Sequence, residues 1–429
     1  MFGLFKNNKP KLTITEEDKN WVETNLLWLG EIFGFDRVIQ QPFVLPILDQ
    51  FPYTNLKDEE QFEALLCQLC NSIGIDRSEI AILFFKEEKK AWTVGDGKST
   101  AGYYSEVKLN NKKYRVAIDE NNLNDFERLV NVLMHELMHV KLLGGKLVNN
   151  NEADMEGFND LAVIYYGFGI FMANSAFRNF NNNLSRVGYL PDDVIAYANA
   201  LICKIAEKDY TEYHQYFNIN TKKLFEASYE YLVKTENTKL DKNTVNRTNE
   251  IYRLNKSITK AFENKDYDGV LMLAKKLEII DDKKPETWNG LGYGYLMLGN
   301  FDEAIKAFDK AIDIDPFWDY PFDNRAFCKI QRGELESAYT DIIISLEFDN
   351  QNSYTWRTLG IYHFLKHEYE EAIENLEKAF EMDAQTDLIH FYLAKVYAAV
   401  GDTEKSGFHH QKSIDENETT EDFLKANTI

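Results

Sequence analysis

Cysteine is scarce in this sequence: four residues in a chain of 429 cannot brace a fold of this size with disulfides. The opening MFGLFKNNKPKLTITEED turns polar after five residues and lacks the apolar core of a secretory signal, so free thiols in a cytoplasmic protein are expected. Long apolar runs are missing too. The longest, Leu161 to Met172, falls well short of the roughly 20 residues that cross a bilayer, so no membrane span is expected. Positive charge is short: 48 Lys and Arg stand against 70 Asp and Glu, for a net charge of -22. A field of that sign, with no local basic patch, repels phosphate backbones and excludes nucleic acid as a partner. Apolar residues are plentiful at 44%, enough to bury a core, and the length predicts two or three domains.

Along the chain, residues 14 to 33 and 58 to 73 carry apolar residues at helical spacing behind acidic first turns. Cys67 and Cys70 form a C-x-x-C inside the second of these, where they read as small apolar residues of a helix face. Short β-type runs follow at 79 to 85, 102 to 108 and 113 to 118, the last two flanking Asn110 and Asn111 as a hairpin does. GDGKST, 95 to 100, lacks the first glycine of a phosphate-binding loop, since Trp92 stands there, and reads as a turn. Asn124 with Glu127 predicts a capped helix reaching Leu143, closed by Gly144 and Gly145. Helices are expected from Asp154 to Phe177 and near 191 to 208 and 221 to 234, with a polar linker over 235 to 250. The expected division is a domain of residues 1–245, a second of 246–418 and a tail of 419–429.

Beyond the linker the sequence repeats every 34 residues. In PETWNGLGYGYLMLGNFDEAIKAFDKAIDIDP, residues Trp288, Leu291, Gly292, Tyr295, Gly299, Ala304, Phe308, Ala311 and Pro316 match the pattern of tetratricopeptide (TPR) repeats, which this region resembles. Units start near 251, 285, 319, 353 and 387. The resemblance implies a C-terminal α-solenoid of helix pairs whose concave groove, including Asn289, Tyr293, Phe327, Arg357 and Phe364, takes a protein or peptide. The Lys-rich clamp for terminal carboxylates is absent, so an apolar or basic-apolar segment is the expected guest.

The residues that carry chemistry lie in LVNVLMHELMHVKLLGG. His135 and His139, four apart, project about 40° from each other around a helix and can converge on one zinc ion (Zn2+). Glu136, turned about 100° from His135, reaches a water at that point without becoming a ligand and can serve as general base. A catalytic zinc needs a third protein ligand. No His follows His139 closely, but an acidic cluster does, in NNNEADMEGFND. Glu156 and Asp160 there form an E-x-x-x-D pair, and the arrangement resembles the gluzincin metallopeptidases. That resemblance implies Glu156 as third ligand and Asp160 as the residue that orients a ligand imidazole. Glu152 and Asp154 compete with Glu156; Glu152 lacks an Asp four positions on, and Asp154 reads better as an N-cap.

The N-terminal segment also resembles a bacterial family of HExxH proteins without a settled function. The fold expected is mainly α: a zincin-like α+β domain with a small sheet, followed by the solenoid. The function expected is peptide-bond hydrolysis, with the repeats recruiting or restraining a substrate. A repeat scaffold with a structural or inactive zinc site, and a zinc hydrolase of non-peptide amides, are the alternatives. Tyr103, Tyr104, Tyr165, Tyr166 and His214 are possible donors to a developing oxyanion, though each also reads as core or surface.

Overall fold

The computed structural model describes residues 11–86, 102–109, 112–148, 154–175, 177–180, 183–186 and 188–416. The turn at 95–100, Asn110 and Asn111, Glu152 and the tail 419–429 lie outside them. The chain divides into two compact units, Met1–Tyr252 and Arg253–Ile429. Among the described residues no helix is long and apolar enough to cross a membrane.

In the first unit, α1 (Glu16–Phe33) and α3 (Glu59–Ile73) start where Thr15 and Asp58 accept a hydrogen bond from the backbone three residues on. The short α2 (Asp36–Gln40) lies between them. β1 (Ile80–Phe85), β2 (Gly102–Leu109) and β3 (Lys112–Asp119) form a sheet in the order β1-β3-β2. β3 runs parallel to β1 and antiparallel to β2, with Tyr104 opposite Val116. The expected antiparallel pair is present, and among the described residues β2 is an edge of the sheet.

Helix α4 (Phe126–His139) follows, then a single π turn over Val140–Gly144. Its cap is Asp125, which accepts from the Arg128 N–H, and not Asn124; Asn124 belongs to a preceding 3-10 turn. The expected helix from Asp154 to Phe177 is two, α5 (Met155–Val163) and α6 (Gly169–Ser175). They are separated by a π turn in which Gly167 takes φ 87°, a conformation that a continuing α-helix cannot contain. Asp154 stands at the N-cap position of α5 but makes no capping bond. β4 (Phe177–Phe180) and β5 (Asn183–Arg186) pair antiparallel, and α7 (Asp192–Ile205) and α8 (Ile219–Thr235) complete the core.

The stretch expected as a linker is mainly helical. α9 (Lys242–Glu263) runs through it, and the division between units falls within that helix. The two apolar residues of the stretch, Leu240 and Val245, are buried. Its polar residues serve the fold: Asp241 caps α9 through the Thr244 N–H, and Asn249 accepts from the Phe35 N–H. Composition alone does not distinguish polar residues bound to solvent from polar residues bound to backbone.

The second unit continues with α10 (Tyr267–Ile280), α11 (Pro285–Met297), α12 (Phe301–Ile314), α13 (Asp319–Gln331), α14 (Leu335–Phe348), α15 (Ser353–Leu365), α16 (Tyr369–Met382), α17 (Ile389–Ala399) and α18 (Thr403–Asp415). The second helix of each pair starts at 267, 301, 335, 369 and 403, a constant step of 34. The turn before it has a left-handed residue at the same interval: Lys265, Gly299, Gly333, His367 and Gly401. Phe308 is fully buried over Gly292, where a Cβ would stand 2.6 Å from its ring. This is the close helix approach that stacked repeats need.

The last pair buries two imidazoles against each other. His390 on α17 and His409 on α18 meet Nδ1 to Nδ1 at 2.8 Å, and His409 stacks on Tyr397. Burial and the neighbouring His390 push His409 down to about 4. A folded value below the unfolded one means that the neutral form stabilises the fold above pH 6.5, and that this stability is lost as pH falls toward 4. Between pH 7.5 and 5 the loss should be about 2 kcal/mol. Urea midpoints at the two pH values should show it, and His409→Gln should flatten the dependence. An unchanged dependence in that variant rejects the assignment.

Candidate metal centre

Helix α4 is buried on nearly every side, and its polar stripe opens on a cavity of about 800 Å³. The cavity is lined by β2 from Gly102 to Glu106, by His135, Glu136 and His139, and by Glu156 and Tyr189. Helical spacing brings the two imidazoles together, with ring centres 4.9 Å apart, and α5 lays Glu156 against both. Glu156 Oε2 is 3.0 Å from His135 Nε2 and 3.3 Å from His139 Nε2. One donor atom from each of the three residues falls within 4.8 Å of the others, the one such cluster among the described residues. Zinc–ligand bonds of about 2.0–2.1 Å in a tetrahedron place donors roughly 3.3 Å apart. The spacing fits a small dication.

The surroundings fit it as well. Asp160, nearly inaccessible to solvent, accepts from His135 Nδ1 at 2.8 Å, which leaves His135 Nε2 facing the cavity. The other Asp160 oxygen accepts from the backbone N–H groups of Tyr189, at 2.6 Å, and Leu190, at 3.2 Å. Asn159 holds the His135 carbonyl at 2.7 Å. Burial works against charge on His135, but the hydrogen bonds to Asp160 and Glu156 outweigh it and push the imidazolium up to about 10. The hydrogen bonds from His135 and His139 hold Glu156 well below the usual carboxylate range. This donor set calls for positive charge at its centre, carried either by protons or by a metal ion. His139 differs from His135 in its support: its buried Nδ1 has no hydrogen-bond partner, and its ring stacks on Tyr104 at 5.9 Å.

Glu136 sits beside the three donors without joining them. It is 5% exposed, and burial pushes its carboxyl up to about 7, the range in which a group both takes and returns a proton near neutrality. Space for its carboxylate is made by Gly102 of β2, where a Cβ would come within 2.8 Å of Glu136 Oε1.

The structure therefore gathers His135, Glu136, His139, Glu156 and Asp160 in one place, and Asp154 stays outside the donor cluster. Of the tyrosines considered from sequence, Tyr103 and Tyr104 line the cavity. Tyr165 donates to the Gly34 carbonyl, Tyr166 lies beneath Arg37, and His214 pairs with Glu226. Tyr189, which stacks on His135 at 5.7 Å, escaped sequence reasoning. Its position depends on Gly188, at φ 96°, and on amides bound to Asp160. The one trace of this in the sequence is a glycine ahead of an aromatic residue.

The groove residues expected from the repeats are distributed unevenly. Phe327 and Arg357 are buried, with the guanidinium 5.1 Å from the Phe327 ring centre and 5.2 Å from that of Tyr354. Asn289 is half-buried and accepts from Asn324. Phe364 packs on the repeat core, and Tyr293 packs on Phe262. These side chains are thus largely engaged by the unit's own contacts.

A family model described as tetratricopeptide repeat matches residues 285–317. Among solved structures, a thermophilic TPR protein of Thermus thermophilus, TTC0263, is 18% identical, covering 43% of this chain and 100% of its own, with a TM-score of 0.36. MamA of Desulfovibrio magneticus RS-1 is 15% identical over 40% of this chain and 97% of its own, TM-score 0.31. The first TPR of Spaghetti (RPAP3), bound to the HSP90 peptide SRMEEVD, is 23% identical over 28% and 95%, TM-score 0.26.

Proposed function

We propose that this chain is a zinc-dependent hydrolase that cuts peptide bonds, and that its repeats engage a protein partner. The observation that carries the reading is the junction of two elements: three converging donors with an adjacent buried carboxylate, and β2, an edge strand among the described residues, along the same cavity. The residues suited to hold the metal are His135, His139 and Glu156. When bound, zinc supplies a Lewis acid for the substrate carbonyl and lowers the pKa of water.

The chain's own residues supply the rest. The outer edge of β2 offers main-chain donors and acceptors on which an extended substrate can be laid as a further strand. Glu136 takes a proton from the water as its oxygen adds to the carbonyl carbon and forms the new C–O bond, then passes that proton to the amine nitrogen, which leaves as the C–N bond breaks. Tyr104 and Tyr189 wall the two imidazoles and restrict solvent around them.

A structural metal site needs neither a cavity nor a base, and the burial of Glu136 beside the donors argues for chemistry. A strand edge recognises a polypeptide main chain, which favours peptide over other amides. Purified full-length protein should contain about one zinc per chain, and chelation should remove its hydrolysis of an unstructured protein. Hydrolysis that survives chelation, or a chain that takes up no metal, sinks the proposal.

A further inference from the structure

In the repeat unit, α11, α13, α15 and α17 are the first helices of four successive pairs. Neighbouring helices pack 8–10 Å apart, so three steps along a straight stack separate α11 from the start of α17 by roughly 24–30 Å. Yet the Tyr293 hydroxyl on α11 donates to Asp387 Oδ2, just ahead of α17, at 3.3 Å. The array curls until its concave face is bridged.

The acidic side of the bridge is built for this contact. By the 34-residue step α17 should start at 387, but it starts at Ile389. Leu388 adopts φ 64° at its N-cap with the side chain buried. A branched residue there is strained and persists where its surroundings hold it. An Asp ahead of a helix ordinarily caps it, but α17 has no side-chain cap. The Asp387 carboxylate is turned to Tyr293, while the Asp387 carbonyl accepts from Arg357 Nη1 at 3.0 Å. Thr386 anchors the segment on Ser353 at 2.8 Å. Burial, and after it the Asp387 charge, raises the phenols of Tyr267, Tyr293 and Tyr354.

The geometry points to residues 383–388 as a built-in latch, in which Asp387 binds Tyr293 and Arg357 as an internal ligand and holds the concave face of the repeats closed. Asp387 is itself solvent-exposed, between the buried Thr386 and Leu388. In this arrangement the Tyr293 hydroxyl holds a carboxylate and Arg357 holds a main-chain carbonyl. A partner entering the groove must first displace this segment. The inference is independent of the metal centre.

Full-length protein carrying Asp387→Ala, Tyr293→Phe or both tests it. Tyr293→Phe removes one hydroxyl and keeps the ring on Phe262. Amide exchange over 383–388 should rise roughly 3- to 10-fold in either single variant, as loss of one hydrogen bond's net contribution allows. The double variant should add little to either. Spin labels at exposed Asp268 and Glu404 should report a longer distance in the variants. Unchanged exchange and distance in both single variants overturn the latch, as do two effects that multiply independently in the double.

Discussion

Replacing Glu136 by Gln is expected to lower peptide hydrolysis by roughly 100- to 10,000-fold, the contribution of a positioned general base. Gln keeps the shape of the side chain but cannot accept a proton from water and return it. Glu136 lies beside the donor cluster without belonging to it, so zinc content should stay at the wild-type level. Turnover measured at saturating substrate on metal-loaded protein separates this from weaker binding, because loss of a transition-state interaction lowers kcat. Activity within a few-fold of the parent, with zinc retained, would rule out the assigned role.

Asp160→Asn should act on the metal instead. Asp160 accepts from His135 Nδ1 on one oxygen and from two backbone N–H groups on the other. An amide has a single acceptor oxygen. If that oxygen keeps the Tyr189 and Leu190 amides, the NH2 group faces His135 Nδ1 and demands an acceptor there. The ring proton then moves to Nε2, the atom that must face the metal. Zinc affinity should fall roughly 10- to 100-fold, the usual consequence of losing such a partner. Competition with a chromophoric chelator measures it, and an affinity within twofold of the parent would show that His135 is oriented by other means. The two variants are expected to separate the roles: Glu136→Gln should keep metal and lose turnover, while Asp160→Asn should weaken metal binding.

Much of this was legible in the sequence because it depends on local spacing. His135 and His139 converge through the pitch of one helix, and the repeat helices recur with their period. The convergence of Glu156 and Asp160 on His135 was reachable through resemblance, since two helices must pack before the four residues meet. What was missed depends on contacts distant in the chain. Tyr189 reaches His135 through a glycine turn pinned by Asp160. Asn249 looks like a linker residue until it bonds Phe35, 214 positions away. Asp387 stands at the register position of a helix start, and nothing local shows that it faces Tyr293. The cap at Asp125 is an error of a different kind: two adjacent residues were both competent, and the 3-10 turn that absorbs Asn124 decided between them.

The glycine of β2 beneath Glu136 has a bearing on how sequences of this type are sorted. The motif on α4 spans five residues, yet the room for its glutamate is set 34 positions earlier, by the absence of a side chain at 102. A chain that keeps all three donors and the glutamate but has any larger residue at the matching strand position displaces the carboxylate by steric contact alone. Such a chain would carry the motif unchanged with its glutamate moved, and its strand would also be pressed against the Ala117 carbonyl. Room for Glu136 is thus set by a residue outside the motif, and position 102 can be read from sequence once the strand register is known.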